Sequence, residues 1–169
     1  DNSLRAMIKL SELYFVVITY PNNDKGSDYI IKKINQISKL KKKNILIVKN
    51  LGGKDYFGFL NFSNSKNLKS VCVGNSSSGI KEAKSFNCPT INIGDRQKGR
   101  MKTKSVIDCK PIFKEIVNKC IFSLENNNFR NSIKRIQNPY YVANSSLKIT
   151  NLILNNKYNL KKLLRKKLI

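Results

Sequence analysis

The chain contains no histidine, and this absence narrows the chemistry open to it. Histidine is the side chain that most often acts as a general base near neutral pH, and it completes the Ser-His-Asp and Cys-His nucleophile arrangements. Those arrangements are excluded for these 169 residues, as is any metal site built on imidazole ligands. We therefore expect no metal ion and no cofactor.

Long apolar runs and targeting segments are also missing. No stretch approaches the roughly 18 uninterrupted apolar residues of a membrane span. The first 20 residues lack the zones of a signal peptide, and they begin at Asp1 rather than Met, so we expect a chain that starts within a gene product. The cysteines form no C-x-x-C pair: Cys72, Cys88, Cys109 and Cys120. We expect buried, reduced thiols, a cytoplasmic location and no membrane partner.

Positive charge, in contrast, is abundant. The sequence has 33 Lys and Arg against 10 Asp and Glu, a formal net charge of +23. Such a charge is typical of nucleic-acid binding, because basic surfaces release counterions from a phosphate backbone. Lysines cluster at 39–43 and again at 161–167, but no aromatic residues are interleaved with them. We expect most of this charge to be solvated surface, with nucleic acid the less favoured partner.

Continuous apolar runs alternate with helical patterns over the first two thirds of the chain. The runs predict buried strands at 13–19, 45–48, 71–73, 90–93 and 105–108. Apolar residues at helical spacing predict helices at 27–40, 54–60 and 78–86, then at 112–124, 128–136, 145–154 and 160–168. Strands that are apolar throughout favour a parallel sheet with helices on both faces, a Rossmann-like α/β fold. We expect one domain over 1–169, with a core to about residue 137 and a helical tail over 138–169.

One segment, residues 73–83 (VGNSSSGIKEA), runs from a predicted strand into a predicted helix. In open α/β sheets, ligands bind outside the carboxyl ends of the strands, and free N–H groups at a helix start attract phosphate. Ser76 and Ser77 add hydroxyl donors, and the Glu82 carboxylate can reach two vicinal ribose hydroxyls. The pattern indicates a nucleoside diphosphate site. Taken alone, it also fits a capped turn, and it is neither a G-x-G-x-x-G motif nor a P-loop.

A second polar loop follows the next strand. Residues 89–100 (PTINIGDRQKGR) end that strand in a loop bounded by glycines, at the same predicted sheet edge. Arg96 can present a planar fork to a phosphate, and Arg100 can steer anions. On its own, this loop also fits a solvated basic turn.

Together the two loops resemble the UDP-N-acetylglucosamine 2-epimerase family, and specifically its hydrolysing branch. Further matching segments lie at 20–27 (YPNNDKGS), 50–52 (NLG), 55–56 (DY), 105–107 (SVI) and 138–140 (NPY). The resemblance spans nearly the whole chain and corresponds to the C-terminal half of the family's pattern only.

The resemblance implies a glycosyltransferase-B-type architecture, in which two Rossmann-like halves hold the substrate between them. The implied reaction converts UDP-N-acetylglucosamine and water to UDP and N-acetylmannosamine, or acts on a related diacetamido sugar, for sialic-acid-like sugar biosynthesis. Its acid–base carboxylates belong to the absent N-terminal domain and a His lies near the domain junction, so no catalytic residue is expected in this chain. The implied partners are the UDP-sugar substrate and that N-terminal domain, with a homodimer left open.

The resemblance also assigns UDP-binding roles, to Asn22, Leu51, Ser76, Ser77, Glu82 and Arg96. The two serines would contact the phosphates, the glutamate the ribose and the arginine the nucleotide. The asparagine and the backbone near the leucine would line the uridine side.

The chain departs from the family pattern at two places. The connection at 61–68 is longer than usual, and residues 141–143 (YVA) replace a Gly-Asp-Gly loop near the nucleotide. These departures leave two other interpretations open. The chain could be a non-catalytic remnant or a split subunit that needs a separate N-terminal half, and its charge alone would fit a basic nucleic-acid-binding module.

Overall fold

Five short strands carry the fold of residues 1–155, the part of the chain that this computed structural model describes. The strands are β1 (Val16–Thr19), β2 (Ile45–Val48), β3 (Cys72–Gly74), β4 (Thr90–Ile93) and β5 (Val106–Cys109). Strand β1 pairs with β2, and β4 lies between β3 and β5. Every pairing is parallel, with Val16 opposite Ile45 and Thr90 opposite Val106. The predicted parallel α/β fold is therefore confirmed, with its strands hydrogen-bonded into two sheets.

Helices connect the strands. They are α1 (Asn2–Leu10), α2 (Ser27–Ser38), α3 (Gly52–Asn61), α4 (Ser77–Lys81), α5 (Phe113–Glu125), α6 (Asn127–Lys134) and α7 (Ser145–Asn155). Short 3₁₀ turns occupy Phe62–Asn64 and Ala83–Phe86. Within the described residues, none of these helices combines the length and the apolar character needed to cross a bilayer.

A single hydrophobic cluster joins the two sheets. Val16 and Ile18 of β1 belong to the same buried group as Ile91 of β4 and Cys109 of β5. Ile116 of α5 is fully buried in this cluster. Strands that are apolar on both faces must be covered on both faces. Strands β1 and β4 therefore share one core, although they belong to separate sheets.

The structure differs from the predicted elements at the N-terminus. Residues 13–15 precede the strand, and α1 lies before them, where no helix was predicted. Ala6 and Leu10 of α1 are buried, and the Arg5 guanidinium lies 5.3 Å from the ring centroid of Phe113 at the start of α5. Packing against α5 stabilises a helix whose nine residues would be marginal alone.

The predicted helix at 78–86 is interrupted. Helix α4 ends at Lys81, Glu82 has a φ of −108°, and the chain continues as a 3₁₀ turn to Phe86. Serine and glycine in the first turn favour helix weakly, and Asn87 stops the turn in the left-handed conformation with φ 52°.

The longer connection at 61–68 is anchored to the rest of the fold. Ser63 Oγ lies 2.7 Å from Ser70 Oγ. Arg130 of α6 is only 8% exposed, and its guanidinium donates to Ser123 O at 3.0 Å and to Ser63 Oγ at 3.4 Å. The longer connection is thus anchored at Ser63 by the buried guanidinium of Arg130.

The chain divides into two compact units, Asp1–Pro139 and a second that starts at Tyr140. Helix α7 belongs to the second unit, and its side chains are exposed. The loop 141–143, which departs from the family pattern, is exposed as well. The predicted helix at 160–168 and the lysine cluster at 161–167 lie outside the described residues.

Candidate functional site

The first predicted loop leaves the carboxyl end of β3. Ser76 is the N-cap residue of α4, and its Oγ accepts a hydrogen bond from the backbone N–H of Ser78 at 3.3 Å. Ser77 is the first residue of the helix and is half-buried, whereas Ser76 is exposed. The Ser76 hydroxyl proton is not used by the cap, because the oxygen is the acceptor there. The two serines thus lie side by side at the strand end, as predicted.

A glycine sets how closely α4 approaches β4. A Cβ atom on Gly79 would lie 2.7 Å from Thr90 Cγ2, far inside van der Waals contact. Thr90 Oγ1 also donates to Gly79 O at 2.8 Å. Only glycine permits this approach, which fixes the position of the serines one turn earlier.

Glu82 lies at the end of α4, and its carboxylate is held by a neighbouring hydroxyl. Ser78 Oγ donates to Glu82 Oε2 at 2.5 Å, and Tyr56 OH lies 2.5 Å from the same Ser78 Oγ. Burial, the nearby Cys72 thiol and the Glu82 carboxylate raise the pKa of Tyr56, and burial raises the pKa of Cys72 to about 12. Both groups are therefore protonated at neutral pH.

Tyr56 and Ser78 were not among the predicted site residues. Tyr56 lies in a segment that matches the family pattern, and Ser78 is the third serine of the first loop. The sequence contained these residue types, but it gave no indication that α3 would bring Tyr56 within hydrogen-bond distance of a residue 22 positions away.

The second loop is fastened to the first through Gln97. Gln97 Nε2 donates to the backbone carbonyl of Asn75 at 2.7 Å, and Gln97 is only 3% exposed. Gln97 Oε1 is buried without a hydrogen-bond partner among the described residues. The structure thus brings the two predicted loops together at the carboxyl ends of β3 and β4.

Arg96 reaches the loop after β1. Its Nη2 atom lies 2.9 Å from Asp24 Oδ2, and both side chains are more than half exposed. Asn22 belongs to the same loop, and its carbonyl accepts from the Asp24 N–H at 2.8 Å. Two further predicted residues, Asn22 and Arg96, are therefore linked through Asp24.

Leu51 follows a different strand from the other predicted residues. It is the half-buried N-cap residue of α3, after β2. Within the described residues, no hydrogen bond or ion pair joins it to the other five. Its connection to them is indirect, because α3 also carries Tyr56 toward Ser78.

The assembled groups are suited to binding an anion and a diol. They comprise hydroxyl donors, a carboxylate acceptor and one guanidinium, from residues 76, 77, 82 and 96. Among residues 1–155, no group of three or more His, Cys, Asp or Glu is placed to hold a metal ion. The arrangement offers recognition of a phosphorylated sugar or nucleotide rather than a nucleophile paired with a base.

Comparisons with known proteins add a family and several relatives. A family model described as UDP-N-acetylglucosamine 2-epimerase matches residues 1–154. The polysialic acid biosynthesis protein P7 of Escherichia coli is 32% identical over 153 residues, which cover 90% of this chain and 37% of that protein.

Two relatives are named as hydrolysing enzymes. The GDP/UDP-N,N'-diacetylbacillosamine 2-epimerase (hydrolyzing) of Campylobacter jejuni is 46% identical over 59 residues, 35% of this chain and 14% of that protein. The UDP-N,N'-diacetylbacillosamine 2-epimerase (hydrolyzing) of Legionella pneumophila is 36% identical over 93 residues, 55% of this chain and 22% of that protein. The chain thus spans well under half the length of each of these relatives.

Proposed function

The chain belongs to the UDP-N-acetylglucosamine 2-epimerase family, and we propose that it supplies the UDP-binding part of a hydrolysing enzyme of that family. The substrate is UDP-N-acetylglucosamine or a related UDP-diacetamido sugar. The products are UDP and N-acetylmannosamine or the corresponding sugar, which feed the synthesis of sialic-acid-like sugars in the cytoplasm.

The observation that carries this proposal is the contact between the two loops. Gln97 Nε2 donates to Asn75 O at 2.7 Å, so the serine loop and the arginine loop touch at adjacent strand ends, which supports one shared site. In open α/β sheets this is the edge where nucleotides bind. Neither loop alone would separate a nucleotide site from an ordinary turn, whereas their contact supports a shared ligand.

The resemblance gives each group a role, and the chemistry of the polar side chains fits it. The hydroxyls of Ser76 and Ser77 donate to the phosphates, and the Glu82 carboxylate accepts from the ribose hydroxyls. Arg96 leaves Asp24 and neutralises the charge of the diphosphate. Asn22 and the backbone at Leu51 line the uridine side.

The hydrolysing branch is favoured by the second loop. Residues 94–100 resemble that branch, and the names of the two diacetylbacillosamine relatives include the term "hydrolyzing". We infer that the chain alone does not turn over the substrate, because the resemblance assigns the acid–base carboxylates to an N-terminal domain outside the match. The substrate then lies between that domain and this one, and elimination of UDP precedes hydration.

Calorimetric titration of UDP into the chain tests the proposal. We expect weak binding, with a Kd near 1 mM (about −4 kcal/mol), because these residues supply only one side of the proposed cleft. Glu82→Ala should weaken it about tenfold, the effect of losing a hydrogen bond to a charged group. Glu12→Ala is the matched control, since it removes a glutamate that follows α1, pairs with Lys9 and has no proposed contact with UDP. Identical heats for the chain and Glu82→Ala, or no heat at millimolar UDP, contradict the proposal.

A further inference from the structure

Three side chains from two elements form a continuous row of hydrogen bonds. Tyr56 OH lies 2.5 Å from Ser78 Oγ, and Ser78 Oγ donates to Glu82 Oε2 at 2.5 Å. Tyr56 comes from α3, whereas the other two come from the loop and helix that follow β3. The row therefore fixes the end of α4 to a separate helix.

The direction of the protons in this row follows from the donor count. A serine hydroxyl has one proton, and Ser78 donates it to the Glu82 carboxylate. The proton between Tyr56 and Ser78 must then come from the tyrosine. Burial keeps the Tyr56 phenol protonated by raising its pKa, so it can donate at any physiological pH. Tyr56 thus donates to Ser78, which donates to Glu82.

The row occupies only one oxygen of the carboxylate. Within the described residues, no hydrogen bond reaches Glu82 Oε1, and Glu82 is half-buried rather than enclosed. An ionised carboxylate has acceptor capacity left on that second oxygen. The bond on the first oxygen restricts rotation of the carboxylate and thereby favours one orientation of Oε1.

We propose that Tyr56 and Ser78 are positioning residues, which hold Glu82 Oε2 so that Oε1 is preorganised to accept the ribose 2′-hydroxyl. This inference rests on the proposed binding of UDP at Glu82. Tyr56 acts through Ser78 and touches no ligand itself. Its contribution is therefore to the selection of ribose over deoxyribose rather than to binding of the phosphates.

The surroundings of Tyr56 suit such a role. Its ring packs against the small cluster of Leu60, Ala83 and Cys88, and its centroid lies 5.7 Å from that of Phe57. A tyrosine held by packing can fix the Ser78 hydroxyl with little further loss of side-chain entropy. Successive hydrogen bonds also polarise one another, which strengthens the bond that Ser78 donates to the carboxylate.

The test compares UDP with 2′-deoxy-UDP. Titrations followed by NMR give both dissociation constants for the chain and for Tyr56→Phe. We expect the wild-type chain to prefer UDP by about tenfold and Tyr56→Phe to reduce this preference to about threefold or less, with binding of 2′-deoxy-UDP nearly unchanged. A purely structural role of Tyr56 would weaken both nucleotides equally and leave their ratio constant.

Two further variants control for folding and for the link itself. Tyr14→Phe removes another hydroxyl, one that donates to Glu125 at 3.1 Å, and should leave the ratio unchanged. Ser78→Ala breaks the row without disturbing the packed ring and should lower the ratio at least as far as Tyr56→Phe. Adding Tyr56→Phe to Ser78→Ala should then have no further effect on the ratio, because the two changes remove one coupled interaction.

The outcomes separate the two proposals. If the wild-type chain binds UDP and the ratio is the same in Tyr56→Phe or Ser78→Ala, the positioning role is wrong while the proposed function stands. If the wild-type chain does not bind UDP at millimolar concentration, both are wrong. A fall in the ratio confined to the Tyr56 and Ser78 variants supports the inference.

Discussion

Arg96 Nη2 lies 2.9 Å from Asp24 Oδ2, so the loop after β4 is paired with the loop after β1. The side chains are 54% and 59% exposed, and exposed ion pairs contribute only about 0.2 to 1 kcal/mol. A diphosphate carries more charge than one carboxylate and accepts both donors of a guanidinium fork. The Asp24 carboxylate is therefore bound weakly enough to Arg96 for a nucleotide diphosphate to displace it.

Removing this competitor should strengthen nucleotide binding. We expect Asp24→Asn to tighten UDP binding by about twofold to fivefold, the range that corresponds to an exposed pair. Calorimetry at low salt measures the change, which should shrink as salt screens the pair. Asp28→Asn, an exposed carboxylate in the first turn of α2, is the control for net charge. Weaker binding by Asp24→Asn would instead indicate that Asp24 orients Arg96 for the ligand.

The contact between the two loops can be tested by an almost isosteric change. Gln97→Glu replaces the donor to Asn75 O by an acceptor in a site that is 3% exposed. We expect a loss of about 2 kcal/mol in the free energy of unfolding near neutral pH, measured by urea denaturation, since the buried carboxylate then faces a second acceptor, the Asn75 carbonyl oxygen. UDP binding should weaken as well, because the arginine loop is released.

The same variant has a dependence on pH that a packing defect lacks. A protonated glutamic acid can donate to Asn75 O, so the loss should diminish at acidic pH. Gln36→Glu on the exposed side of α2 should change the unfolding free energy little at any pH. A loss for Gln97→Glu that is equal at all pH values would contradict the role of the hydrogen bond.

The close approach of α4 to β4 predicts a steric effect. In Gly79→Ala the new methyl group would lie 2.7 Å from Thr90 Cγ2, and Thr90 is only 2% exposed. We expect a destabilisation of about 1 to 3 kcal/mol in chemical denaturation, typical of overpacking. Gly58→Ala in α3 meets no atom within 4 Å and should instead stabilise by about 0.5 to 1 kcal/mol through helix propensity. Equal effects of the two changes would rule out the steric explanation.

The sequence predicted the strands that local runs of apolar residues define. The apolar runs at β1, β2 and β4 are continuous, and the structure pairs all of them in parallel. The loops were predicted to emerge at one sheet edge, and the Gln97 hydrogen bond joins them there. Such predictions succeed because parallel strands present their carboxyl ends on the same side.

Side-chain partners were harder to predict because they depend on tertiary placement. The Asp24 carboxylate on Arg96 and the Tyr56 hydroxyl on Ser78 join residues from distant segments. Helix α1 is short, and its stability comes from burial of Ala6 and Leu10 rather than from its own sequence. The meeting of the two loops could therefore be predicted, whereas the side chains that hold them in place could not, and the UDP-binding roles stay predictions.

The end of the second loop offers a prediction on acid stability. Asp108 follows this loop on β5, and its carboxylate accepts from Lys102 Nζ at 2.7 Å and from Asn92 Nδ2 at 2.7 Å. The hydrogen bond from Lys102, followed by that from Asn92, lowers the pKa of Asp108 below its ordinary value of 3.8. A lowered pKa in the folded state means that the ionised carboxylate stabilises the fold above pH 3.8 and that this stability is lost as pH falls through the folded pKa.

Lys102→Met should therefore be less stable than the wild-type chain at pH 6, by about 0.5 kcal/mol, because Asp108 is mostly exposed. The difference should disappear below the folded pKa, where Asp108 is protonated in both proteins. Urea denaturation at pH 6 and at a pH below the folded pKa of Asp108 measures the two differences. NMR of the Asp108 carboxyl carbon locates that pKa, which should move up toward its ordinary value in Lys102→Met. Lys104→Met removes an exposed lysine of the same loop and should leave that pKa nearly unchanged. A difference for Lys102→Met that persists below the folded pKa of Asp108 would mean that Lys102 stabilises the loop by packing its methylene chain instead of by its bond to Asp108.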